Sequence, residues 1–176
     1  MNVNETENGI NEFFTTVATQ TIYYAFARAY PGRIMSVYCS GEPERRRLAL
    51  DIDLGGERSR RIWLQHVIDS PGEERINAMT DAGTVPSDAV MQLTLTLMGC
   101  ARHPVYTPAL TSGARLILGC SVRINLLDVQ EMHKLTVGLA EAAQHLENAF
   151  HSNSIFPESW CQSPETPGRM RYRAGH

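Results

Sequence analysis

Leu48, Leu50, Ile52 and Leu54 alternate with Arg47, Ala49, Asp51 and Asp53. After Gly55-Gly56 the alternation resumes as Ile62, Leu64, His66 and Ile68 against Arg61, Trp63, Gln65 and Val67. A period of two on both sides of a glycine pair predicts two antiparallel strands joined as a hairpin, greasy on one face and polar on the other. Weaker strand signals flank this pair, from Arg33 to Ser40 and from Arg75 to Ala82, with Gly41-Glu42-Pro43 and Ser70-Pro71-Gly72 as the turns. An antiparallel meander follows from that spacing.

A second hairpin is predicted from Val105 to Leu110 and Arg115 to Ile124, bracketing Ser112-Gly113. Leu116, Leu118, Cys120, Val122 and Ile124 alternate without a break against Arg115, Ile117, Gly119, Ser121 and Arg123. The stretch between the hairpins, Val85 to Gly99, carries both signals. Leu93, Leu95 and Leu97 alternate with Thr94 and Thr96, yet Pro86-Ser87-Asp88 opens a helix and Gly99 stops one, and these agreeing end signals favour a helix.

Two more helices bound the chain. From Gly9 to Arg28, Ile10, Phe13, Phe14, Val17, Thr21, Tyr24 and Ala25 recur at three and four, which predicts one helix ended by Pro31-Gly32. Its β-branched residues (Thr15, Thr16, Val17, Thr19, Thr21, Ile22) weaken it intrinsically, so it depends on packing. Near the other end, Asp128 and Glu131 form a capping box, with Leu127 and Met132 as its hydrophobic staple. Met132, Leu135, Leu139, Ala142, Leu146 and Ala149 then hold one face to about His151, opposite Glu131, Lys134, Glu141, Gln144 and Glu147. Beyond, residues 152–176 are rich in Pro, Ser, Gly and Arg without a period, and read as a flexible tail outside a single domain of residues 8–151.

With 176 residues, 43% hydrophobic and 20% charged, the composition excludes disordered, collagen-like and coiled-coil classes for the bulk of the chain. The acidic, polar start from Met1 to Asn8 and the lack of a long apolar run argue against a signal peptide or a membrane span, so a cytoplasmic location is expected. Sixteen basic against nineteen acidic residues leave a net charge of −3 and a pI near 6.1, without the basic footprint of a nucleic-acid binder. Every basic residue but Lys134 is an arginine. The four cysteines (Cys39, Cys100, Cys120, Cys161) are far apart with no Cys-x-x-Cys pair, so neither a metal site nor a redox motif is expected, and the thiols read as packed and reduced.

No dinucleotide or Walker loop, no nucleophile elbow and no His-Glu-x-x-His occurs, so the expectation is a protein that is not an enzyme, with no cofactor, no metal and no catalytic residues. His133, His145 and His151 share the last helix at spacings of twelve and six, which do not stack them on one face. Asp51 and Asp53 share a strand face, as paired acid–base carboxylates would, but antiparallel strands ordinarily set such groups opposite arginines, here Arg45, Arg47, Arg58 or Arg60.

The order helix, strand meander, helix, hairpin, helix is similar to the secretion-chaperone fold of class I type III secretion chaperones (the Tir chaperone family) and the YbjN-like proteins. Two stretches carry the resemblance. Residues 75–88, Arg75-Ile-Asn-Ala-Met-Thr-Asp-Ala-Gly-Thr-Val-Pro86-Ser-Asp, are similar to that family's last meander strand and the proline opening its middle helix. Residues 116–128, Leu116-Ile-Leu-Gly-Cys-Ser-Val-Arg-Ile-Asn-Leu-Leu-Asp128, are similar to its final strand running into the closing helix. The resemblance implies an α+β fold, an antiparallel sheet with helices on one side, and a homodimer that binds an extended segment of a secreted, effector-type protein without chemistry.

Physically, a sheet covered on one face by helices can accept apolar anchors and added strands from a disordered partner. The positions for receiving them are Leu48, Leu50, Ile52, Ile62 and Leu64, with Phe13, Phe14 and Val17 of the first helix beside them, although each taken singly is also a candidate for the domain's own core. Val90, Leu93 and Leu97 of the middle helix supply the self-complementary patch a two-fold interface needs. The expected function is therefore a cytoplasmic dimeric chaperone or adaptor. The alternatives are a YbjN-like regulatory protein-interaction domain, or a small enzyme or ligand-binding protein built on the hairpin from Arg45 to Arg61, its carboxylates joined to His66 or His103.

Overall fold

Six antiparallel strands form one open sheet in the order β1-β2-β3-β4-β6-β5. They are β1 (Ile34–Ser40), β2 (Arg47–Gly55), β3 (Arg58–Ile68), β4 (Glu74–Thr84), β5 (Thr107–Leu110) and β6 (Arg115–Arg123). The computed structural model describes residues 3–40, 47–68, 72–87 and 106–152. Both predicted hairpins and the meander are present, and the fold is α+β as the element order implied. The glycine pair turns the first hairpin: Gly55 and Gly56 both have positive φ, which a glycine adopts without the Cβ clash of other residues. The segment expected to form the middle helix, with Val90, Leu93 and Leu97, lies outside the described residues from position 88 to 105.

Register decides what is buried. Leu50 faces Val37 on one side and Ile62 on the other, and Leu48 faces Leu64, so the apolar members of each alternation meet on one face. Leu48, Leu50, Ile52, Ile62, Leu64, Ile76, Leu116 and Leu118 are all buried there. At roughly 1.5–3 kcal/mol for each large side chain fully removed from water, this layer is the main store of stability.

The helices cover that face. α1 (Val3–Phe13) lies on β1 and β2, and α2 (Val17–Ala29) follows it. A short α3 (Val129–His133), a π turn (Lys134–Gly138) and α4 (Leu139–Ser152) close the chain, with α4 against β4 and its neighbours.

The single helix predicted from Gly9 to Arg28 is two. Thr16 is extended, and its hydroxyl accepts from the Thr19 amide at 3.2 Å, so it caps a new helix. Gln20 Nε2 donates back to the carbonyls of Phe14 (2.7 Å) and Asn11 (3.3 Å), satisfying the end of α1. The break resets the buried face: Thr19, Tyr23 and Phe26 point inward, whereas Val17 is 79% exposed. Threonine's preference for capping over helix interiors outweighed the apolar spacing.

The closing helix starts as predicted. Asp128 accepts from the Glu131 amide at 2.7 Å, and Met132 and Leu127 are buried. The reciprocal half of the box is replaced by an ion pair from Lys134 to Glu131. The π turn then widens the buried stripe to Leu135, Thr136, Val137, Leu139, Ala140, Ala143 and Leu146, more than a constant helical period predicts. Tyr106 is seated against this turn: its hydroxyl donates to the Lys134 carbonyl at 3.4 Å, and a Cβ on Gly138 would stand 2.6 Å from it.

α1 approaches the sheet through Gly9, where a Cβ would stand 2.8 Å from Cβ of Cys39. Gly9→Ala should gain about 1 kcal/mol of helix propensity yet suffer about 1–3 kcal/mol of overpacking. The expected outcome is a net loss of about 1 kcal/mol in urea unfolding; an unchanged or raised midpoint would show that α1 can lift off β1 at no cost.

Candidate functional site

Because the described helices pack on one face, no described residue layers over the other face of the sheet along β1 to β4, and its side chains form rows set by the strand register. The central row runs Tyr38, Ala49, Trp63, Met79, Gly119. Tyr38 is 42% exposed, and Trp63 and Met79 are 37% exposed each, whereas Ala49 between the two aromatics is completely covered. A small residue flanked by two rings gives a continuous apolar platform.

A charged row lies beside it. Asp51 pairs in register with Arg61, and the carboxylate accepts two guanidinium bonds, from Nε at 2.7 Å and from Nη2 at 2.9 Å, as well as the Ser36 hydroxyl. That bidentate hold lays the guanidinium over both rings, 4.9 Å from the Tyr38 centroid and 5.9 Å from that of Trp63. Arg115 closes on Asp81 in the same row. The bonds from Arg61 keep the Asp51 carboxyl below its ordinary range, Ser36 adding to the shift while partial burial opposes it. Arg61 is raised in turn, mainly by the same hydrogen bond. Rigid aromatic and guanidinium groups on a strand scaffold can bind by desolvation and stacking.

The carboxylates of the hairpin are thus engaged. The partner of Asp51 is Arg61, not Arg47, Arg58 or Arg60, because the register sets positions 51 and 61 opposite each other. Asp53 accepts from the Gly55 amide at 2.8 Å and shapes the turn. Arg60 faces the helices: it pairs with Glu147 and donates to Gln144 Oε1 at 3.2 Å and to the Asp81 carbonyl. His66 also lies on the helix side, with Nε2 3.4 Å from Glu74. Arg45 and His103 lie outside the described residues.

Of the eight positions singled out to receive a partner, Phe13, Phe14, Leu48, Leu50, Ile52, Ile62 and Leu64 are buried in the chain's own core, and Val17 stands exposed on α2. In the single chain, the helices already occupy the strip that these seven side chains form. The exposed apolar side chains of the central row are Tyr38, Trp63 and Met79, which the same alternation could have marked as the opposite face had Trp63 been weighed with Tyr38 across Ala49; Met35, Ile68 and Leu110 are exposed elsewhere on the strands. Of the histidines, His133 packs its ring on Tyr30 at 4.6 Å, and burial lowers its pKa; Glu141 pairs with Arg33 at 3.5 Å. Cys120 is a free thiol, and burial pushes it up to about 12, so it is not a nucleophile at neutral pH.

No family model and no curated protein matches this sequence. Among solved structures, a chain of the heterodimeric ExoU–SpcU complex from the type III secretion system of Pseudomonas aeruginosa is similar, with a TM-score of 0.42 at 18% identity over 58% of this chain and 84% of that one. Among the described residues, no helix is long and apolar enough to cross a membrane.

The carboxylate of Asp51 is what orders Arg61 over the rings, and its pKa is depressed in the folded chain. Its contribution is therefore full above the ordinary value of 3.8 and is lost as pH falls through the lower folded value. In a chain whose other tryptophan is removed (Trp160→Phe), Trp63 emission should show a step below pH 3.8 that Asp51→Asn abolishes. A step that survives in Asp51→Asn would assign the change to another group.

Proposed function

We propose that the chain is a non-enzymatic chaperone or adaptor that works as a homodimer and holds an extended segment of a secreted partner protein on the open face of its sheet. The observation that carries this reading is the exposed cluster of Tyr38, Trp63 and Met79 with Arg61 clamped over the rings. Tyr, Trp, Met and Arg are the residue types that dominate protein–protein contacts, and a cluster held rigid in advance spends little conformational entropy on binding. The resemblance of the element order to secretion chaperones supports the class of partner. Two-fold pairing is assigned to Val90, Leu93 and Leu97, and residues 8–151 to the folding unit, with 152–176 as a tail that leaves the core unaffected.

Co-expression with the open reading frames beside its gene, followed by pull-down and limited proteolysis, tests the reading. The expected result is a captured partner whose amino-terminal segment is protected. Trp63→Glu should weaken that capture at least about tenfold, in line with a hot-spot loss of about 2 kcal/mol, while Tm stays as in the parent. Equal capture by Trp63→Glu would remove the open face from the mechanism.

The dimer is checked by light scattering, which should give twice 19.6 kDa for the parent and a single mass for Leu93→Glu. Deletion of residues 152–176 should leave Tm nearly unchanged; a fall of many degrees would show that the tail packs on the domain.

A further inference from the structure

The apolar platform has a cation built into it. Tyr38 on β1 and Trp63 on β3 stand two strands apart, on the order of 10 Å, across the fully buried Ala49 of β2. The Arg61 guanidinium lies against both rings, 4.9 Å from the Tyr38 centroid and 5.9 Å from that of Trp63, so it fills the interval between them. Its Nε and Nη2 donate to the two oxygens of Asp51, and the Ser36 hydroxyl holds the same carboxylate from β1. The arginine is thus fixed in advance, yet 47% of its side chain remains exposed.

What such a group can take up follows from its charge and shape. Asp51, itself 18% exposed, already neutralises Arg61, so an incoming carboxylate would meet a pair of negative oxygens beside the cation. An incoming lysine or arginine would meet a cation, and two aromatic faces that this cation already engages. A neutral aromatic ring avoids both repulsions, and it stacks well on a planar, weakly hydrated guanidinium. An aliphatic side chain would fit the same place but gain nothing from the charge.

We infer that the extended segment held on the open face presents an aromatic side chain to Arg61, so that the guanidinium is layered between the partner's ring and those of Tyr38 and Trp63. This rests on the open face being the binding surface proposed above. Arg61 is then the residue that selects a ring over an aliphatic anchor. Single-stranded nucleic acid also stacks on aromatics beside arginines, but the net charge of −3 disfavours a polyanion.

The probes are three synthetic peptides of about twelve residues, the length of a long strand, that alternate leucine and serine and differ only at one central position. That position carries phenylalanine, cyclohexylalanine, which has the shape without the π face, or glutamate. Trp63 emission in the Trp160→Phe chain reads their binding. The phenylalanine peptide should bind at least about threefold more tightly than the cyclohexylalanine peptide, and the glutamate peptide more weakly than either. This comparison decides the inference without any substitution in the site. Arg61→Met with Asp51→Asn, which removes the charge pair together and leaves an unbranched side chain on the rings, should bring the phenylalanine and cyclohexylalanine affinities together.

Equal affinities for those two peptides in the parent, or a phenylalanine preference that persists in the double variant, would overturn the role of Arg61 while leaving the open face as a binding surface. Tightest binding of the glutamate peptide would overturn it too, by replacing the ring with an anion. A failure of all three peptides to change Trp63 emission would overturn the surface itself. Binding of an oligo(U) strand more tightly than the phenylalanine peptide would replace the polypeptide with a nucleic acid.

Discussion

The pairing of β2 with β3, in which Leu50 meets Ile62 and Asp51 meets Arg61, sets both faces of the sheet at once. Side chains alternate with a period of two, so a slip of one residue would send Leu48, Leu50 and Ile52 into water and bury Asp51 and Asp53 under the helices. The cost of that exchange, several large apolar side chains exposed and two carboxylates desolvated, holds the register. Everything on the open face inherits it: Ala49 lies between Tyr38 and Trp63 only because those positions share a rung of the ladder.

The two faces are built by different physics. On the covered side, close approach matters most: Gly9 lets α1 reach Cys39, and Gly138 makes room for the Tyr106 hydroxyl at the π turn. Arg60 crosses this layer to Glu147 and joins β3 to α4, an ion pair that fixes orientation more than it adds stability. On the open side no second layer among the described residues compresses the side chains, and order comes from in-plane bonds instead. Ser36, Asp51 and Arg61 form one chain of hydrogen bonds across three strands, with Arg115 and Asp81 continuing the row. Strands carry these groups, so the platform has the rigidity of the sheet.

Rigidity of this kind suits the proposed holding of an extended partner. A partner arriving as an extended chain bears the ordering entropy itself, and a surface that does not rearrange adds nothing to that cost. Exposed charges contribute mostly to encounter and alignment, whereas the apolar row contributes the lasting contact.

Much of this was legible from residue order. The alternations around Gly55-Gly56 and through Leu116 to Ile124 specify strands because a pleated backbone has one period, and the Asp128 cap specifies a helix start because its carboxylate reaches a local amide. The break at Thr16 was hidden, since its hydroxyl bond competes with an apolar spacing that continues across it. The widened stripe after Lys134 was hidden too, because a π turn answers to Tyr106, a residue distant in sequence. Local periodicity and capping chemistry therefore determined on their own that this chain forms an α+β sheet with one greasy face. Which arginine serves Asp51, which apolar residues remain exposed, and where charge collects were decided by tertiary structure, because those outcomes depend on how separate strands register and on which face the helices cover.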